Sequence, residues 1–359
     1  MSHPNPSSPT DIARRGLLRG ATLLPIGLSR PVRLAALALP AAGAALAAIP
    51  SAQAEVLIVL NSRDANVSLI DPVTYAEIGR VATGKEPHHL YPTPDGRSVI
   101  IANALGNDLI FLDPVTGQVQ RRVRDIVDPY HLCISPDNRW FVTAANRLDH
   151  VDVYRWADFA DPNAQPVPVK RFPLPKVPSH LVFTSDSRMV FATLQESDEV
   201  AAIDLSTMTV AWKLPVGRQP AGIAISPDDR FLFAGIMGED GVDVIDRQGR
   251  RIAKRIRTGL GAHAFRPMGD RRHLFVSNRG ANTISVIDMQ TLQVTGPDIA
   301  VPGGPDCMEV SADGRLLYTT ARWARKMTVI DIASRQVVKT VKVGASPHGV
   351  FRLRRAGML

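Results

Sequence analysis

A unit of roughly forty residues recurs along this chain, and that periodicity limits the possible folds more than any other feature of the sequence. One clear copy, LFVSNRGANTISVID, runs from Leu274 to Asp288. Two apolar, β-branched runs flank a turn built from Asn278, Gly280 and Asn282, the composition of two antiparallel strands joined tightly. RSVIIANALGNDLIFLD from Arg97, RWFVTAANRLDHVDVYR from Arg139, RMVFATLQESDEVAAID from Arg188, RFLFAGIMGEDGVDVID from Arg230 and RLLYTTARWARKMTVID from Arg315 line up with it. Each follows a hairpin turn such as TPDG, SPDN, TSDS, SPDD or SADG, where Asp caps its own backbone. The Asp residues of these turns (95, 137, 186, 228 and 313) are therefore read as structural.

Upstream of each turn lies another apolar run that opens with a short, mostly Pro-led triplet. Taking that triplet as origin, the units begin at Pro87, Pro129, Pro178, Pro220, Gly261, Pro305 and Pro347, with intervals of 42, 49, 42, 41, 44 and 42 residues. Four strand-like runs per unit at this period predict the blades of a β-propeller. The seventh unit ends after PHGVFRLRR, and the strands it lacks stand at the other end, in EVLIVLNSRDANVSLIDPVTYAEIGRV from Glu55. The expected fold is an all-β, seven-bladed β-propeller whose last blade is closed by both termini. Closure leaves no open sheet edge, and a monomer is expected.

LFVSNRGANTISVID closely resembles the motif of the YVTN-repeat (YncE-like) propellers, and the repeats cover nearly everything from Glu55 onward. The resemblance implies a seven-bladed, usually exported propeller, distantly similar to propellers that carry haem d1 or copper in the central channel. It implies no single activity, because propellers host many functions.

Residues 1–54 stand apart. Arg14, Arg15 and Arg19 precede an Ala- and Leu-rich stretch that is densest from Leu34 to Ile49, and Ala52-Gln53-Ala54 supplies a cleavage site before Glu55. This predicts an export signal, hence a periplasmic protein, with residues 55–359 as the propeller domain. Arg14-Arg15 followed by Gly16-Leu17-Leu18 resembles a twin-arginine signal. Because Arg30 and Arg33 interrupt the apolar stretch, a general secretory signal is the alternative. No uninterrupted run reaches the roughly 20 residues of a membrane span.

The leader holds five Arg and one acid, so the formal +8 of the whole chain (42 basic, 34 acidic) falls to 37 − 33 = +4 without it. No basic stripe interleaved with aromatics occurs, and nucleic acid is not implied. Cys133 and Cys307 fall in units two and six, on opposite sides of a propeller, too far apart for a disulfide. A Pro-rich insertion, WADFADPNAQPVPVKRFPLPKV from Trp156, lengthens the second unit and reads as an extended surface excursion.

Innermost strands start at the opening triplets, which therefore ring one mouth of the channel. Their second and third positions read His88-His89, Tyr130-His131, Ser179-His180, Ala221-Gly222, Ala262-His263, Asp306-Cys307 and His348-Gly349. Six of the eight histidines after residue 54 fall in these fourteen positions. Neutral imidazole suits copper, zinc or iron, and a nearby thiolate favours copper or zinc. His89, His131, His180 and His263 share the third position, with His88, His348 and Cys307 as auxiliary ligands or acid/base groups. The alternative is the structural histidine of WD-repeat propellers, which ties each blade together by hydrogen bonds; Gly222 and Gly349 have no such replacement.

Loops between second and third strands emerge on the same face. Arg147, Arg279 and Arg322 there suggest an anionic ligand or the carboxylates of a tetrapyrrole, and Trp323 offers a stacking surface. No G-x-S-x-G, H-E-x-x-H or P-loop is present, and without C-x-x-C-H a haem would be held non-covalently. Three functions follow: a protein holding copper or another transition metal, with a small anionic ligand or a redox partner protein; a haem d1-type carrier or biosynthetic protein; and a metal-free scaffold for protein partners.

Overall fold

The computed structural model describes residues 55–358, so the export signal expected in residues 1–54 lies outside the described residues. From Leu57 to Arg352 the chain folds into seven antiparallel sheets, each with four strand positions; in the fifth the outer position is split between Gln293–Val294 and Ile299–Ala300. The last sheet joins Pro347–Arg352 to Leu57–Asn61, Asn66–Ile70 and Glu77–Ala82, so the two ends of the propeller close one blade. Among the described residues no helix is long and apolar enough to cross a membrane.

Burial on both faces explains the layering. The second and third strands of each blade are buried on both faces, as in Val99–Asn103 and Asp108–Leu112, because neighbouring blades cover them. Outer strands such as Val119–Arg124 are largely exposed. Apolar clusters lie between adjacent blades, for example Phe191, Val200 and Ile223 with Leu232 and Ile245. Burial between blades is the main stabilising term.

Turn acids behave as read. Asp95, Asp137, Asp186, Asp228 and Asp313 each accept the amide two residues on, at 3.0–3.1 Å. A second set closes the third strands. Asp288 accepts Gln290 N at 2.8 Å and Thr291 N at 3.2 Å, and its other oxygen takes Arg272 Nη2 at 2.6 Å. The Arg272 hydrogen bond lowers the Asp288 pKa to about 2, burial opposing it and the turn amides adding to it. A depressed folded pKa contributes stability above the unfolded value near 3.9, and that contribution disappears as pH falls toward 2. Asp288→Asn is expected to lower the Tm at pH 7, with the gap to the native chain closing between about pH 4 and pH 2 in a thermal melt series; a gap independent of pH would refute this role.

Two sequence expectations are corrected. The insertion is not a free excursion: Trp156 and Phe159 are buried in the core between the first two blades, and Arg121 reaches the carbonyls of Phe159, Asp161 and Ala164 at 2.8–3.1 Å. Its aromatic residues outweigh its prolines. In the fifth blade, Ala262 pairs with Asn278 as Pro220 pairs with Ile236, so the unit begins at Ala262 and not at Gly261. His263 therefore occupies the second position, and Ala264 the third.

Candidate metal centre

All seven innermost strands break register just after their first residue; in the first blade the shift falls between Pro87 and Leu90. In a regular strand consecutive side chains face opposite sides, but an extra residue bends the strand and re-aims them. Consecutive residues such as His88 and His89 thereby both join one ring cluster, 4.8 Å apart between centroids. Second-strand hydroxyls take up the released backbone groups: Thr193 Oγ1 accepts His180 N at 3.1 Å and donates to Ala221 O at 2.6 Å, and Thr320 Oγ1 donates to His348 O at 2.5 Å.

Two tiers result. The third-position tier holds His89, His131 and His180, whose ring centroids form a triangle with sides of 4.5, 4.8 and 4.9 Å. The second-position tier holds His88, His263, Asp306 and His348, with Tyr130 against His88 at 4.0 Å. Rings of His348 and His88 are 3.8 Å apart, and His348 lies 4.6 Å from His89, which links the tiers. Ligand atoms lie within 4.8 Å of one another in three groups: His89-His131-His180, His88-His89-His348 and His263-Asp306-His348. Gly222 leaves a gap in the lower tier for a steric reason, since a Cβ there would stand 2.0 Å from His263 O.

Five of the six histidines keep one buried ring nitrogen without a hydrogen-bond partner, Nδ1 of His88 and His131 and Nε2 of His89, His180 and His348, while His263 Nδ1 lies 3.0 Å from Asp306 Oδ1. A buried polar atom left unpaired costs about 1–3 kcal/mol, so five of them weigh heavily against a total stability of about 5–15 kcal/mol. Burial lowers the pKa of His131 to about 3 and of His263 to about 4, and pushes His88, His89, His180 and His348 well below the ordinary value. These imidazoles are neutral at pH 7, the form that coordinates metal. The donor set fits copper or zinc, whose bonds to His nitrogen are about 2.0–2.1 Å. His150 and His273, outside the channel, sit beside Asp152 and Asp270.

Cys307 belongs to none of the three groups, and its buried thiol, with Asp306 also near, is pushed well above the ordinary value. Cys307 forms no disulfide, and its Sγ lies 3.5 Å from His348 Nδ1. Cys133 is likewise free. Arg279 donates to Asp306 Oδ1 at 2.7 Å and has His263 Nε2 at 2.9 Å, while Arg322 reaches Asp306 Oδ2 at 3.4 Å. Burial opposes ionisation of Asp306, but Arg279 first, then His348 and His263, holds it well below the usual carboxylate range. Asp306 thus occupies the place between the two guanidinium groups where an anion would sit. Arg147 is committed to Asp128 at 2.5 Å and Glu86 at 2.8 Å on the rim. Trp323 is 61% exposed and covers Gly304. Arg147, Arg279 and Arg322, the arginines expected to face an anionic ligand, are thus each paired with a carboxylate.

Sequence reasoning passed over Asp306, although its second-position place among histidines was the available signal. Arg266 and Glu309 were missed as well. They form a buried pair, Nη2 to Oε1 at 2.6 Å, at the fifth position of adjacent innermost strands. Below the lower tier the channel widens into a cavity of about 310 Å³.

A family model described as YNCE-like beta-propeller matches residues 21–358. No curated protein matches the chain. Among solved structures, Dihydro-heme d1 dehydrogenase NirN in complex with DHE is 17% identical with a TM-score of 0.61, over 84% of this chain and 76% of that one. Periplasmic gluconolactonase PpgL of Pseudomonas aeruginosa is 21% identical with a TM-score of 0.68, over 85% and 99%. A functionally unknown protein of Desulfotomaculum acetoxidans is 14% identical with a TM-score of 0.69, over 83% and 98%. At these identities the likeness is one of fold.

Proposed function

We propose, on the premise that the chain belongs to the YNCE-like beta-propeller family, that it is an exported, periplasmic protein that holds a transition-metal ion, copper by preference, in its histidine-lined channel. The observation that carries this reading is the convergence of six imidazoles, five buried and His131 half-buried, of which five have an unpartnered ring nitrogen. His89, His131 and His180 are the primary ligands. His88, His348, His263 and Asp306 form the adjoining groups, and Asp306 with Arg279 fixes His263. Bound copper would supply Lewis acidity or one-electron chemistry. The protein's own contribution is to keep the imidazoles neutral and in place. Copper is favoured over zinc by the order of affinities for nitrogen sites. Similarity to a protein described as periplasmic agrees with the leader-like residues 1–54.

A tetrapyrrole is less well served, because Arg279 and Arg322 are already engaged with Asp306 and one axial histidine would leave four orphaned nitrogens. The test is elemental analysis with an absorption spectrum on untagged protein purified from periplasm. About one or more equivalents of copper per chain is expected. A Soret band would move the reading to haem d1. A colourless protein that takes up neither copper nor haem would leave the metal-free scaffold.

A further inference from the structure

The channel is asymmetric. Toward the loop face stand the half-buried Arg279 and Arg322 on the buried Asp306, with His88, His263 and His348 buried beside them. Toward the hairpin face lies the cavity of about 310 Å³, within the range of small-molecule sites. Its ceiling is His89, His131 and His180, the tier on which the metal reading rests, and its walls are apolar, among them Leu181, Phe183, Ile223, Ala224, Phe265 and Met308. The charged groups at the floor are paired with one another. Arg266 spends Nε on Glu309 and its other nitrogens on the carbonyls of Pro267, Ala356 and Gly357, and Arg355 lies on Glu309 Oε2 at 3.1 Å. The last residues thereby form the threshold, where Met358, 45% exposed, also lines the cavity. A neighbouring depression of about 380 Å³ shares Tyr91, Ile134 and Arg355 and continues outward on that face.

We infer that this cavity binds a small, neutral, predominantly apolar molecule, admitted from the hairpin face past the C-terminal segment and presented to His89, His131 and His180. The wall guanidinium groups of Arg266 and Arg355 already lie on Glu309, and an uncompensated charge brought against the apolar walls would lose its hydration without replacement. Dry apolar cavities of about 150 Å³ accept benzene, so about twice that volume suits a bicyclic aromatic. Presentation to a metal rests on the proposal above; occupancy of the cavity does not.

The experiment is calorimetric titration of the full chain, in metal-free and copper-loaded forms, with indole and with the anion benzoate. Indole is expected to bind at least roughly tenfold more tightly than benzoate. Ala224→Trp, which fills the cavity, and the milder Val182→Phe are expected to weaken indole binding by roughly tenfold or more while leaving copper content unchanged. Benzoate binding as tightly as indole, no indole binding by the native chain, or undiminished binding in a folded variant would overturn the inference. Indole binding by a chain that takes up no copper would overturn the metal reading alone.

Discussion

Glu309→Ala is expected to destabilise the propeller by about 3–5 kcal/mol, because removing one member of a buried ion pair strands the other. Glu309 is 3% exposed and Arg266 2%. The carboxylate accepts Arg266 Nε at 2.8 Å and the Val310 amide at 2.9 Å, and holds Arg355 at 3.1 Å. Arg266 in turn binds the carbonyls of Ala356 and Gly357, so the loss also loosens the C-terminal segment from the sixth blade. For a chain of this size the change corresponds to a Tm drop on the order of 10 °C. Denaturant melts would read it. Arg97→Ala is the control, since Arg97 is 81% exposed and its contact with Asp95 is long at 3.9 Å; it should cost under about 1 kcal/mol. Replacing both partners by apolar residues, Arg266→Met with Glu309→Leu, should recover most of the loss. A Glu309→Ala change no larger than the Arg97→Ala change would show that water reaches the pair.

Arg266 could not be placed from sequence, and the reason is register. The repeat announces itself through hairpin acids and β-branched runs, which are local, and seven blades with a shared last sheet followed from counting. The fifth blade lacks the usual Pro-led opening and has the degenerate turn PMGD, so counting from Gly261 put His263 and Arg266 one place late. A one-residue slip moves a side chain to another tier. The ring of histidines was legible because six of them gather at the openings of the innermost strands. Their division into two tiers depends on the register breaks, a property of pairing that no single strand encodes. The fate of Arg147, Arg279 and Arg322 was also hidden: loop arginines read as free charge until the carboxylates of Asp128 and Asp306 are seen beside them.

The two-tier arrangement ranks the histidines by expected effect on metal. His89 belongs both to the group with His131 and His180 and to the group with His88 and His348. His89→Ala should therefore cause the largest loss of copper affinity of any single change, roughly 100-fold or more, above the 10–100-fold that follows loss of a residue merely supporting a ligand. His131→Ala and His180→Ala should each approach it, and the triple variant should retain no copper through gel filtration. His263→Ala should stay within the supporting range, since His263 sits between Arg279 and Asp306 and does not line the cavity. Competition titrations against a chelator give the affinities, and nitrogen hyperfine structure in the electron paramagnetic resonance spectrum of the Cu(II) form counts the imidazoles. Equal effects at His89 and His263 would mean that the metal lies between the tiers. A fully retained metal in the triple variant would assign it to His88, His348 and His263 with Asp306, and the apolar cavity would then end on vacated rings with no ion at its head.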